Sequence, residues 1–344
     1  MNKIERMRSA FAHKESDRVP KGDLGIAPDL MAKLVPDIAD DFKREAKARE
    51  LLGMDLCDTG AVWPKEVLVG KDAEGHPRYR ENWGMEYIKA GDDMKIVKPG
   101  VATLEDVANF KAPKIDILDF SLLKRWLTET DFFIFGQIGA TLDAIMWIAG
   151  FENTMTWAAM EPDAIRHMSE VLTEFNIAMG LKYLEHGVHL ILIGDDIAYN
   201  NGTFLSPDLL DELVFPYHKK IVQAFKKHSP ETPVMLHSDG DLTSVMDRIV
   251  DCGYDALQSL QHMNFAQIKK KYGDKLTLMG NMDIDHLLPF GTPAEVEKAV
   301  HELLDVAAPG GGFILSTSNI LTKAVPVENA YAMYRAADKW KYKK

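Results

Sequence analysis

The chain has 344 residues, 46% of them hydrophobic, with 40 Lys and Arg against 52 Asp and Glu, a formal charge of −12. That balance excludes phosphate-led nucleic-acid binding and offers no polybasic patch to an anionic membrane surface. Two cysteines, Cys57 and Cys252, can build neither a disulfide framework nor a four-thiolate zinc site. The first twenty residues are charged throughout and hold no apolar leader core, and no run reaches the roughly 18 apolar residues of a membrane span. The expected setting is therefore the cytoplasm, with no membrane and no nucleic-acid partner.

Along the chain, short apolar runs alternate with longer helical patterns. Val19–Gly25 and the stretch Asp55–Val62 read as the first two strands. Phe132–Ile138, Val188–Gly194, Val234–His237, Ala256–Leu260, Leu276–Asn281 and Gly312–Ser316 supply six more. Most are continuous apolar runs rather than alternating ones, which suits parallel strands buried on both faces. Eight such βα units predict an α/β fold, a closed (β/α)8 TIM barrel. An open doubly wound sheet is the alternative, and no GxGxxG turn follows the first strand to favour it. Helix starts agree with this parsing. Thr292-Pro293-Ala294-Glu295 is a capping box with proline at the first helical position, Ser206-Pro207 opens a second helix, and Thr103–Asp106 a third. Between the second and third units, Val67–Ala90 breaks the pattern. Glu74-Gly75 separates strand-like stretches carrying Tyr79, Trp83 and Tyr87, so a small β-hairpin or meander is expected as an insertion at about residues 66–98.

In a βα barrel the reactive groups gather at the C-terminal mouth. Here the fourth strand ends in Asp195-Asp196 and the fifth in His237-Ser238-Asp239. The sixth ends near Gln258 and Gln261, the seventh in Asn281-Met282-Asp283, and the eighth in Thr317-Ser318-Asn319. Helix capping could account for Asp195, Asn281 or Asp283 singly, but not for five polar strand ends in succession. The expected catalytic residues are His237, Asp239 and Asp196. The expected substrate contacts are Asp195, Tyr199, Gln258, Asn281, Asp283, Asn319 and Trp83. His237-x-Asp239 is a candidate metal pair, with Asp195, Asp196 or Asn319 open as the third ligand. Trp63, Trp83, Trp147 and Tyr199 could hold an arene, although helical spacing makes Trp147 read as packing.

At these residues the chain resembles the uroporphyrinogen decarboxylase superfamily over nearly its whole length, as a single barrel domain spanning residues 1–344. The resemblance is carried by Asp195–Ile221, VMLHSDGDL at Val234–Leu242, YGDKLTLMGNMDIDHLLPFGTPAEV at Tyr272–Val296, and APGGGFILSTSNIL followed by VPVEN at Ala308–Asn329. Decarboxylases of this superfamily carry an arginine-rich element after the first proline. Here Val19-Pro20 is followed by Lys21–Ala27, with no arginine until Arg44, so the cations that a polycarboxylate needs are missing. The resemblance therefore implies the corrinoid-dependent methyltransferase branch, whose His-x-Cys and later Cys bind zinc. His237 matches that histidine. Asp239 stands at the first cysteine position, and Ser316, Thr317, Ser318 and Asn319 lie near the second.

Replacing thiolates by oxygen donors implies a harder site, suited to an oxygen leaving group. The expected activity is thus that of an O-demethylase methyltransferase: a methyl group leaves a small methylated substrate, a methoxylated aromatic first, for the cobalt of a corrinoid held by a partner protein. His237 and Asp239 would hold zinc, or Asp196 with His237 would deliver a proton. A tetrapyrrole decarboxylase, a non-catalytic binding member and a metal-independent lyase are the alternatives. The reading leaves a homodimer open.

Overall fold

The computed structural model describes residues 1–90 and 93–342. Its centre is a seven-stranded parallel sheet whose strands follow one another in chain order. They are β1 (Leu56–Thr59), β2 (Phe133–Gly139), β3 (Leu190–Gly194), β4 (Val234–His237), β5 (Ala256–Gln258), β6 (Thr277–Met282) and β7 (Phe313–Thr317). Six of the expected strands and the core of Asp55–Val62 are thus present. Helices connect them, the longest being Pro162–His186. No helix among the described residues is long and apolar enough to cross a membrane.

The expected first strand differs. Val19–Gly25 makes one isolated bridge, Lys21 to Leu315, rather than a regular ladder. Gly22 donates to the Leu315 carbonyl and Leu315 to that of Pro20, while on the other side Asp55 donates to the Lys21 carbonyl. The segment therefore reaches both edge strands, β7 and β1, without a continuous register to either. Two local causes are visible. Pro20 has no N–H to give to a ladder, and the Asp23 carboxylate takes the Thr317 N–H at 2.9 Å, where a strand carbonyl would otherwise accept.

Side-chain alternation explains what the sheet encloses. One face carries Leu56, Phe133, Phe135, Leu190, Leu192, Met235, Ala256, Met279 and Ile314, and Met7 and Ala10 of the N-terminal helix Lys3–Phe11 pack against them. The other face lies beneath the outer helices in a second, larger cluster. Because side chains alternate with period two, the next position on the enclosed face moves towards the C-terminal ends. It is occupied by Asp58, Gln137, Gly194, His237, Gln258, Asn281 and Ser316. An apolar layer is thus followed by a polar one at a single end of the sheet.

The insertion is larger than a hairpin. Val67–Lys71, Pro77–Arg80, Glu86–Ala90 and Asp93–Lys98 form a four-stranded antiparallel sheet. The extra pair comes from Glu86–Ala90 and Asp93–Lys98, whose mixed Lys and Ile sequence carries little alternation. Gly75, at φ +90°, makes the first turn. Trp83, in the next connection, turns back onto the main body and packs against Trp63, Phe110 and Phe175.

Candidate functional site

His237 ends β4, and its ring is held from one side. Its Nδ1 hydrogen-bonds Gln258 Oε1 on the neighbouring strand. The Gln258 amide is itself oriented, because its Nε2 donates to the Ser318 carbonyl at 2.8 Å. Nδ1 therefore carries the hydrogen, and the Nε2 lone pair is left for the site. It faces Asp196 Oδ1 at 3.8 Å and Asp239 Oδ1 at 3.9 Å. The two aspartates are tied to each other, the Asp239 N–H donating to Asp196 Oδ1 at 2.8 Å. Asn319, after β7, donates to Asp239 Oδ2 at 2.8 Å. Burial raises the Asp196 carboxyl above its usual range, and the Asp239 N–H pulls it back down.

The loop that brings Asp239 to this point depends on Gly240. Its φ is +95°, and a Cβ there would lie 2.6 Å from the backbone of Ala198 and Tyr199. No other residue lets the two loops approach so closely.

The ligand atoms of Asp196, His237 and Asp239 all lie within 4.8 Å of one another. One imidazole with its second nitrogen anchored, together with two carboxylates, is a donor set that fits a divalent cation. Two of the three ligands are oxygen, so the set is harder than one built on thiolates.

Beside this cluster lies a cavity of about 500 Å³. Its polar lining includes Asp143, Asp196, His237, Gln137 and Asn176, and its apolar wall Trp63, Trp83, Trp147, Phe175 and Met179. Asp143 is in the first turn of helix Leu142–Ala149. Its carboxyl is open to the cavity, yet desolvation by the surrounding protein pushes it up to about 7, and the nearby Asp195 and Asp196 charges push the same way.

The expected substrate contacts are placed as follows. Asp195 borders the cavity, but it is fully buried and its oxygens are engaged. Thr141, Leu142 and Asp143 donate backbone N–H groups to it, the last at 2.7 Å, and His218 Nε2 lies 2.7 Å away. It caps a helix N-terminus, where a carboxylate is favoured by the helix dipole. Gln258 is also fully buried, and its Oε1 faces His237 Nδ1. Asp283 accepts from the N–H groups of Asp285 and His286 and anchors its own turn. Asn281 is on the enclosed face but donates to the Leu260 carbonyl at 3.3 Å and does not line the cavity. Tyr199 is 48% exposed and stacks on Phe204, away from the cavity wall. Trp83 does line it. Trp147, read as packing, is 45% exposed and lines it too.

Asp143, Gln137 and Asn176 were not foreseen. The signal was present for the first two: β2 carries Gln137 two residues before its end and is followed by Thr141-Leu142-Asp143, and the strand-end rule applied from the fourth strand onward reaches the same place when started one strand earlier. Asn176 lies in the middle of helix Pro162–His186, where nothing in the sequence marks it.

The fold, the polar end of the sheet and the matched sequence converge on one family. The model of the family described as uroporphyrinogen decarboxylase (URO-D) matches residues 82–340, and the chain belongs to that family. Among curated relatives, it is 25% identical over 189 residues to a methylated-thiol–coenzyme M methyltransferase of Methanosarcina mazei, covering 55% of this chain and 48% of that one. It is 28% identical over 195 residues to the methylcobamide:CoM methyltransferase MtaA of Methanosarcina barkeri, covering 55% and 53%. The match thus spans about half the length of these methyltransferases. A uroporphyrinogen decarboxylase of Chlorobaculum tepidum is 27% identical over 266 residues, 74% of this chain and 70% of that one. A solved methyltransferase structure from Methanosarcina mazei superposes with a TM-score of 0.74 at 19% identity over 98% of this chain and 99% of that one, so the fold is shared.

Proposed function

We infer that the protein is a corrinoid-dependent methyltransferase that takes a methyl group from a small methylated substrate, a methoxylated aromatic in the first place, and passes it to the cobalt of a corrinoid carried by a partner protein. The observation that carries this is the pairing of an aromatic-walled cavity with the Asp196–His237–Asp239 cluster at its polar end. The methyltransferase relatives support the class of reaction. In this reading Val19–Gly25 completes a (β/α)8 barrel between β7 and β1.

The parts divide as follows. Trp63, Trp83 and Phe175 would grip the arene by stacking and edge contacts. His237, Asp196 and Asp239 would hold zinc, which when bound acts as a Lewis acid on the ether oxygen and makes it a better leaving group. Gln258 keeps His237 Nε2 aimed at the cluster. The aromatic wall excludes water from the oxygen on which charge develops, which strengthens each polar interaction there. About 500 Å³ suits a small substrate but not a macrocycle together with it. The corrin ring accordingly stays with its own protein, at the mouth.

The decarboxylase alternative meets a concrete obstacle. Among the described residues lining the cavity there is no Lys or Arg, while three are aspartates. Lys21, at the place where the superfamily's decarboxylases carry their arginines, is buried, with Nζ on Asp338 and the Tyr334 carbonyl, both at 2.7 Å. A polycarboxylate would find repulsion here instead of charge-assisted hydrogen bonds.

The test is direct. Purified protein mixed with a reduced corrinoid protein and 2-methoxyphenol is expected to yield the demethylated phenol and methylated corrinoid in equal amounts, and to release no carbon dioxide from uroporphyrinogen. Decarboxylation without any partner protein would overturn the assignment. A second result is expected at the ligand cluster. Gln258→Ala should weaken zinc binding by about 10–100-fold, the usual effect of losing the group that orients a ligating histidine. Calorimetric titration of metal-stripped protein measures this without any turnover.

A further inference from the structure

We propose that Asp143 is a specificity-determining residue which makes the cavity discriminate against negatively charged methyl donors, so that the natural substrate is a methyl aryl ether bearing no carboxylate. This rests on the methyl-ether reading above and narrows it.

The argument starts from the cavity lining. Three tryptophans and Phe175 supply π faces to the lining, and its acidic groups are Asp143, Asp195 and Asp196. His237 is the sole titratable group of the other sign among the described lining residues, and its two ring nitrogens are directed at Gln258 and at the aspartates. Asp195 is spent on the helix N-terminus and His218. Asp143 is not spent: among the described residues its carboxylate has no hydrogen-bond or ion-pair partner, and it is open to the cavity.

A carboxylate on the arene would have to lie within a volume of about 500 Å³ that holds Asp143 and no Lys or Arg among the described lining residues, and the zinc of the methyl-ether reading would offset only the two carboxylates that hold it, Asp196 and Asp239. Like charges brought within a few ångströms of one another repel. Discrimination of this kind comes from what the site refuses as much as from what it holds. A neutral ring loses nothing by entering, and its electron-rich face packs against indole as well as that of a benzoate does.

The chemistry predicts a binding preference that needs neither corrinoid nor turnover. Full-length protein is titrated at pH 8, where the Asp143 carboxyl, at about 7, is mostly ionised. The ligands are 2-methoxyphenol and 4-methoxybenzoate, followed by the fluorescence of the tryptophans in the cavity wall. The neutral ether is expected to bind at least about tenfold more tightly, the scale of one like-charge contact in a partly desolvated site. Asp143→Asn, which keeps size and removes charge, is expected to shrink that ratio severalfold, chiefly by improving benzoate binding. A merely structural role of Asp143 in its helix would weaken both ligands alike and leave the ratio unchanged. Equal or tighter binding of 4-methoxybenzoate by the unaltered protein, or an unchanged ratio in Asp143→Asn, would overturn the proposal while leaving the methyl-ether reading in place. Binding of tetramethylammonium with no binding of either arene would overturn both, and would assign the aromatic wall to a cationic donor.

Discussion

His237→Ala is expected to slow methyl transfer by about a hundredfold or more, the scale of losing a group that activates a leaving atom. Substrate binding should change much less, because the interaction strengthens only as charge develops on the oxygen. The fold should survive, since the ring is partly open to the site and its neighbours Gln258 and Asp239 have other partners. Pre-steady-state transfer to a reduced corrinoid protein, with circular dichroism as the control, measures both. The geometry also separates two versions of the chemistry. With Nδ1 bound to Gln258 and Nε2 facing two carboxylates, the ring is set up as a ligand. Chelation should therefore abolish transfer and added zinc restore it. A histidine acting as proton donor would ignore the chelator. Unchanged transfer in both His237→Ala and Asp239→Ala would remove the cluster from the reaction.

Asp195→Ala is expected to cost stability above all, by roughly 3–5 kcal/mol, because each buried donor left without its acceptor costs about 1–3 kcal/mol. The loss has two parts. The N–H groups of Thr141, Leu142 and Asp143 lose their acceptor at a helix start. His218, fully buried between Asp195 and the Tyr254 hydroxyl, loses the partner at its Nε2. Asp195→Asn should lose less, since one amide oxygen still accepts, although its NH2 group then faces other donors. Urea unfolding of the two variants gives the comparison. A substrate contact would behave oppositely, with the denaturation midpoint unmoved and KM raised. The neighbouring Asp196 provides the control, because its Oδ1 faces His237 and the Asp239 N–H at the mouth of the cavity instead of the protein interior.

These two aspartates show where sequence reasoning stops. Both follow β3, and both satisfy the rule that reactive groups gather after barrel strands. Which one faces the cavity and which turns towards the helix Leu142–Ala149 depends on where that helix starts in space, and adjacent residues differ in nothing a one-dimensional pattern records. Gln258 is a similar case. Its place after a strand marked it as part of the site, but its task of orienting His237 follows from the register that sets Gln258 beside His237 on adjoining strands. Asp143 illustrates the converse. It is near the polar end of β2, yet only the tertiary structure places it in one cavity lining with Trp63 and Trp83, residues 80 and 60 positions earlier in the chain.

What the amino-acid sequence determines alone is what depends on local periodicity and on residue chemistry. Unbroken runs such as LILIG and FILST cannot be half-exposed strands, so a parallel sheet covered on both sides follows from hydrophobic burial. Thr292-Pro293 with Glu295 specifies a helix start from backbone hydrogen bonding within four residues, and the structure has that capping box. His237 with Asp239 two residues on sets an imidazole and a carboxylate after one strand by residue chemistry alone. Tertiary structure decided whatever depends on distances between remote segments. It reduced Val19–Gly25 from a strand to one isolated bridge, because Pro20 cannot donate and the Asp23 side chain accepts in place of a carbonyl. It brought Trp83 from the inserted sheet onto the cavity, and it joined Asp196 to the His237–Asp239 pair while committing Asp195 to a buried cap. The reason is the same in each case. A side chain's role is set by the direction it faces and by the partners left unsatisfied there, and these are fixed only when the strands and helices pack together.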